Sequence, residues 1–249
     1  MTSLGNGSGA AGGALLELDR VSSAYGPFRA IFDVSFSLPE GSATALLGPN
    51  GSGKSTIARI CTGLVPVTSG HLRYASQDVT GLPAWRLARM GIAHAPEGRS
   101  VFASLTVEEN LVLTFRQALG RKHMRQALDR AYGAFPRLGE RRDQSAGTLS
   151  GGEQRILSLA KVLANPPRLL VVDELSLGLA PIVLDDVFRI LGDIHRAGTT
   201  LLIVEQHVGR ALQISDRAVL LNQGQVMHAG PVSELGDVIE HLLPGTPAR

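Results

Sequence analysis

Residues 48–56 read Gly-Pro-Asn-Gly-Ser-Gly-Lys-Ser-Thr, three glycines followed by an ammonium and two hydroxyls. Gly48, four residues, then Gly53, Lys54 and Ser55 is the spacing of a loop that wraps phosphate oxygens. The glycines let backbone N–H groups turn inward, and a helix N-terminus behind them adds the positive end of its dipole. Lys54 is placed to reach the β- and γ-phosphates of a nucleoside triphosphate, and Ser55 to offer its hydroxyl to Mg²⁺. Asn50, Gly51 and Thr56 complete the expected phosphate-binding set. The same string read without chemistry is a glycine-rich turn ahead of an ordinary helix.

A phosphate loop needs carboxylates on the metal side. The run Leu169-Leu170-Val171-Val172-Asp173-Glu174 supplies two at the end of an apolar stretch. Asp173 would hold Mg²⁺ directly or through water, and Glu174 would orient or deprotonate an attacking water. A third stretch, Leu149-Ser150-Gly151-Gly152-Glu153-Gln154, precedes a segment whose apolar residues Ile156, Leu159, Ala160 and Leu163 share one helical face. Ser150, Gly151 and Gly152 therefore form a second anion-binding helix start.

These groups must be held by strands and helices in alternation. Leu15 to Leu38 alternates loosely and turns at Tyr25-Gly26-Pro27, which predicts two short strands. Ala43–Leu47, Gly91–Ala95, Leu169–Val172 and Thr200–Val204 read as buried strands, and Leu72–Leu82 as strand and loop. Ser55–Leu64 and Pro83–Met90 read as helices. Thr106-Val107-Glu108-Glu109 has capping-box spacing ahead of Leu111 and Leu113, and Arg116 to Arg142 keeps a helical pattern throughout. The expected fold class is α/β with a mainly parallel sheet. The helical block at about 98–150 interrupts the alternation as an inserted subdomain, and residues 1–14, rich in Gly, Ser and Ala, read as a disordered leader.

Composition narrows the class. The chain has 249 residues, 44% hydrophobic and 18% charged. Its 24 basic and 22 acidic residues leave a net charge of +2, too small to point to nucleic acid. A single cysteine, Cys61, allows no internal disulfide and fits a reducing compartment. There is no run of 18 apolar residues, so no membrane span is expected, and the first fourteen residues do not have the pattern of a signal peptide.

The phosphate loop, the Leu149–Gln154 signature and the acidic strand, in that order, resemble the ATP-binding cassette (ABC) ATPases over nearly all of the chain after the leader. That resemblance implies a P-loop core with an N-terminal antiparallel β subdomain and an inserted helical subdomain. It also implies that the signature of one subunit closes over the nucleotide on its partner's phosphate loop. Tyr25 falls where the family stacks an aromatic on adenine, although a turn tyrosine packed on the core fits the residues equally. Glu97 falls at a metal- and water-contacting position, Gln206 at the switch position, and His207 beside it. Five residues depart from the family's usual choices: Glu97 for glutamine, Leu175 for proline, Leu177 for serine, Ala180 for aspartate and Gln206 for histidine. They bear on hydrolysis rather than on binding, and they raise the alternative of a weakly hydrolysing regulatory cassette.

The departures resemble one branch. Pro96-Glu97-Gly98-Arg99, Leu105–Leu111, Phe135-Pro136-Arg137-Leu138, Ser176–Pro181 and Val204-Glu205-Gln206 are similar to the shorter ATPase subunit of branched-chain amino acid importers of the hydrophobic amino acid uptake type. The resemblance implies ATP and Mg²⁺ as ligands and a position on the cytoplasmic face of the membrane. It implies a second, different ATPase as heterodimer partner, two permease subunits and, indirectly, a solute-binding protein. Importers of urea and amides are the neighbouring alternative. A soluble ABC ATPase acting on nucleic acid is disfavoured by the low charge and the single cassette. The eight basic residues between Arg116 and Arg142 face only Asp129 and Glu140, which suits either a membrane-side contact or a solvated helix face.

Overall fold

A computed structural model describes residues 13–95, 101–120, 122–162, 166–175, 179–205 and 207–235. The chain opens with β1 (Ala14–Tyr25) and β2 (Phe28–Pro39), an antiparallel hairpin closed by Gly26-Pro27, with Gly26 at φ +59° as a two-residue turn of this hand requires. These are long strands of 12 residues each, not the short ones expected from the sequence. The register shifts between Leu18 and Val21, and Arg20 and Asp33 take positive φ there, so the period-two pattern breaks although the pairing continues. Asp33 N–H donates to Ser22 Oγ at 3.0 Å across the irregularity. The leader expected over residues 1–14 falls almost wholly outside the described residues, and β1 already begins at its last position.

The central strand β3 (Ala43–Leu47) leads through the glycine loop into α1 (Lys54–Cys61). The chain then adds β4 (Ser69–Tyr74) and β5 (Gln77–Asp78) to the hairpin, giving an antiparallel sheet ordered β2-β1-β4-β5. Helix α2 (Ala84–Arg89) and β6 (Ile92–Ala95) follow. Among the described residues, four α-helices stand between β6 and the next strand: α3 (Val107–Leu119), α4 (Met124–Ala134), α5 (Pro136–Glu140) and α6 (Gly151–Val162). The continuous helical pattern expected from Arg116 to Arg142 is thus divided, and Pro136, lacking an N–H, restarts the chain as the first residue of α5. The capping box at Thr106 forms as its spacing predicts: Thr106 Oγ1 accepts from Glu109 N–H at 3.1 Å and Glu109 Oε2 from Thr106 N–H at 2.8 Å.

The last elements are β7 (Leu169–Asp173), α7 (Pro181–Arg196), β8 (Thr200–Val204), α8 (Val208–Gln213), β9 (Arg217–Asn222) and β10 (Gln225–Pro231). They complete a six-stranded sheet ordered β10-β9-β3-β8-β7-β6, parallel throughout except for edge strand β10. Its inner strands β3, β7 and β8 are buried at every position and mostly apolar because both faces are covered. Alternation sends Ala43, Ala45, Leu47, Leu201 and Ile203 to the side of α6 and α7, and Leu46, Leu202 and Val204 to the side of α1 and the antiparallel sheet. Helix α1 is therefore packed between two sheets, which fixes its N-terminus at the C-terminal edge of β3. Among the described residues no helix is long and apolar enough to cross a membrane.

Candidate functional site

Ligands of open parallel sheets collect at the C-terminal ends of the strands. There, a cleft of about 530 Å³ opens between the glycine loop and the β1–β2 hairpin. Asn50, Gly51, Gly53, Lys54, Ser55, Thr56 and Glu174 line it, all of them singled out from the sequence. Gly48 lies below the cleft. A Cβ added there would fall 2.2 Å from the Leu221 carbonyl oxygen, so only glycine lets the loop leave β3 this close to β9. Gly53 caps α1 at φ +100°, turning the first N–H groups of the helix, which have no intrahelical acceptor, toward the cleft.

Lys54 is only 4% exposed, with its Nζ donating to the carbonyls of Gly48 at 2.9 Å and Pro49 at 3.0 Å. Burial lowers its pKa, while the nearby carboxylates of Glu174 and Asp173 act to raise it. The ammonium is thus parked on the loop's own carbonyls, a cation waiting for a better anion. Ser55 Oγ donates to Asp173 Oδ1 at 3.0 Å. The two residues lie 118 positions apart and meet because β3 and β7 flank β8 in the sheet. Asp173 ends β7 with 1% exposure. Glu174 follows at φ +48°, its N–H donating to the Val204 carbonyl at 2.9 Å.

The other sequence-selected residues stand apart from this cluster. Tyr25, 44% exposed at the end of β1, does not line the cleft. His207 is exposed at the start of α8 and does not line it either. Ser150, Gly151 and Gly152 open α6 away from the cleft. Ser150 Oγ donates to Glu153 Oε2 at 2.8 Å, and the same carboxylate accepts from Ser150 N–H at 2.9 Å. No Cβ-sized obstacle lies near Gly151, so that turn is open to an incoming group. Glu97, Leu177 and Gln206 lie outside the described residues; Leu163, the last apolar position expected on α6, does too. Among the described residues no group of three or more His, Cys, Asp or Glu side chains is placed to hold a metal by itself.

Sequence reasoning missed Arg29, Phe32 and Gln223, which also line the cleft. The Arg29 guanidinium sits 4.9 Å above the Phe32 ring. Gln223 belongs to the β9–β10 turn, which is pinned in place where Phe32 N–H donates to the Gly224 carbonyl at 2.8 Å and Gly224 N–H to the Ser52 carbonyl at 3.0 Å. No local motif marks these residues, because strands distant in sequence bring them together.

A loop of turned-in N–H groups, a buried ammonium and a hydroxyl paired with a carboxylate make a site for a polyphosphate. Comparison with known proteins decides which kind. The family model described as ABC transporter matches residues 31–176. The chain belongs to the ABC transporter family. It is 42% identical over 220 residues to the high-affinity branched-chain amino acid transport ATP-binding protein BraG of Pseudomonas aeruginosa, covering 86% of this chain and 92% of that one. It is 37% identical over 231 residues to the probable branched-chain amino acid transport ATP-binding protein LivF of Archaeoglobus fulgidus, covering 91% and 95%. Among solved structures, a nucleotide-free ATP-binding cassette from an ABC transporter superposes with a TM-score of 0.79 at 25% identity, over 91% of this chain and 95% of that one. As an ABC cassette the chain binds and hydrolyses ATP.

Proposed function

We propose that this chain is the ATP-hydrolysing subunit of a membrane importer for branched-chain amino acids, working on the cytoplasmic face. The observation that carries the proposal is the Lys54–Ser55–Asp173 cluster at the foot of an open, glycine-walled cleft in a chain with the BraG and LivF likenesses. The residues fit Mg²⁺, because a hydroxyl and a carboxylate already within 3.0 Å are the ligands that join substrate phosphates and water around that ion. Bound there, Mg²⁺ would neutralise charge developing on the transferred phosphoryl group.

The chain's own residues do the rest. Lys54 exchanges its two backbone carbonyls for phosphate oxygens. Ser55 and Asp173 supply the metal-side oxygens, with Glu97 as a further contact. Glu174, at the cleft wall, orients the attacking water and takes up its proton, while Gln206 or His207 senses the γ-phosphate. Tyr25 stacks on the adenine. The turn at Ser150, Gly151 and Gly152, open at Gly151, meets the triphosphate held by a second, different ATPase subunit, so that two nucleotides are clamped between the pair. The helical subdomain grips two permease subunits, and a solute-binding protein delivers the cargo to them.

The test is the complex reconstituted in vesicles from this chain, its companion ATPase and the permeases, with solute-binding protein added. Glu174→Gln should leave ATP binding intact and cut phosphate release at least about 100-fold, the usual scale of general-base loss. ATP-driven uptake should follow for leucine and not for urea. Unchanged phosphate release in Glu174→Gln would remove the assigned role, and urea uptake without leucine uptake would replace the cargo.

A further inference from the structure

Helix α6 carries Arg155 one turn beyond Ser150. Its Nη1 donates to the Glu174 carbonyl at 3.3 Å and to the Leu175 carbonyl as well. Neither the family's phosphate chemistry nor the cleft lining accounts for this contact. It lands on the two peptide units that flank Leu175, and the first of these, through the Glu174 carbonyl, also sets the backbone ψ of Glu174.

The residue that enters them is not in an ordinary backbone conformation. Glu174 has φ +48°, and a non-glycine residue stays in that region only when its surroundings hold it there. On the upstream side, Glu174 N–H is bound to the Val204 carbonyl and Asp173 is bound to Ser55. Downstream, Leu175 is buried and both carbonyls converge on one guanidinium group. Arginine suits the task. It keeps its charge when partly buried, and its rigid planar fork holds donors in fixed directions. Without it, the peptide plane after Glu174 is free to rotate toward the extended region, which swings the carboxylate away from Lys54 and Ser55.

We infer that Arg155 is a positioning residue for hydrolysis: its grip on the Glu174 and Leu175 carbonyls aims the Glu174 carboxylate into the cleft. The inference rests on the hydrolytic role proposed for Glu174. Arg155 does not line the cleft and meets it only through the Glu174 backbone carbonyl, so its loss reaches the rate and not ATP affinity.

The experiment compares Arg155→Met, Arg155→Lys, Glu174→Gln and the double variant Arg155→Met/Glu174→Gln in the assembled transporter. Phosphate release is normalised to bound nucleotide, and ATP affinity is measured separately. Arg155→Met is expected to lower kcat about 10- to 100-fold, the scale of a small misplacement of a reacting group, with ATP affinity within about twofold of the parent. Arg155→Lys, which keeps the charge but not the fork, should fall between the two, and the double variant should be no slower than Glu174→Gln alone. A parental kcat in Arg155→Met while Glu174→Gln is inactive overturns the inference and leaves the role of Glu174 standing. So does a loss that tracks ATP affinity or melting temperature, the mark of a merely structural arginine. Full turnover in Glu174→Gln overturns the hydrolytic reading first. If Arg155→Met does not assemble, Arg155→Lys decides: reduced kcat at unchanged affinity supports the inference, and parental kcat overturns it.

Discussion

Gly53→Ala puts a close packing demand on the glycine loop. The new Cβ would lie 2.7 Å from Ile31 Cγ2 and 3.0 Å from the Ala30 carbonyl oxygen, at a backbone φ of +100°. Ile31 is fully buried against the core of the antiparallel sheet, so it has little room to give. Backbone strain costs about 1–3 kcal/mol, and overpacking adds about 1–3 kcal/mol. The sum, about 2–6 kcal/mol, corresponds to a fall in melting temperature of about 4–24 °C for a chain of this size. If the loop shifts to relieve the clash, Lys54 shifts with it, and the loss appears as ATP affinity instead. Gly51→Ala is the control. Gly51 also has positive φ (+78°), but an added Cβ there meets nothing within 4 Å, so only the strain of about 1–3 kcal/mol should remain. Thermal melting and equilibrium ATP binding of both variants separate the two contributions. A Gly53→Ala protein that melts within about 2 °C of the parent, well inside the expected shift, and binds ATP as the parent does would refute the packing argument.

Two further outcomes follow from the same geometry. Ser55→Ala removes the hydroxyl bound to Asp173 Oδ1, so the Mg²⁺ concentration needed for half-maximal ATPase activity should rise at least about tenfold, the equivalent of one lost interaction of about 1.4 kcal/mol; an unchanged Mg²⁺ requirement would exclude Ser55 from the metal side. His94 on β6 is held down to about 4 by burial, with Arg59 adding to the effect, and its Nε2 is buried without a hydrogen-bond partner. Between pH 6.5 and about 4 the unfolded chain carries the extra proton and the native chain does not, so stability should drop as pH falls through that window, by up to about 3 kcal/mol. In His94→Leu the urea midpoint should lose that part of its acid dependence, and an identical pH profile in the two proteins would show that His94 is not its source.

Much of the candidate site was legible in the chain because a glycine loop that starts a helix is a local object. Its geometry depends on the glycines at 48, 51 and 53 and on the helix that starts at Lys54, all within nine residues. The capping box at Thr106 was readable for the same reason, and the parallel sheet followed from apolar runs alternating with helices. Strand length in the first hairpin was misjudged because bulges near Arg20 and Asp33 shift the alternation without ending the pairing. The division of the 116–142 stretch was missed because helical periodicity survives across Pro136 even though the backbone ladder does not.

By itself the sequence determined which chemical groups stand together locally at the candidate site: a turn that only glycine can make, an ammonium one residue later, and a carboxylate at the end of an apolar strand. Only the tertiary structure decided which groups meet. Ser55, on the helix that follows β3, reaches Asp173 across β8; Arg29 and Phe32 come to the cleft from β2 of one sheet and Gln223 from the β9–β10 turn of the other; and Arg155 reaches past its own helix to the backbone of Glu174. The physical reason is that spacing along the chain sets backbone turns over a few residues. Contacts over a hundred residues are set by how both faces of a sheet are covered, which no short stretch encodes.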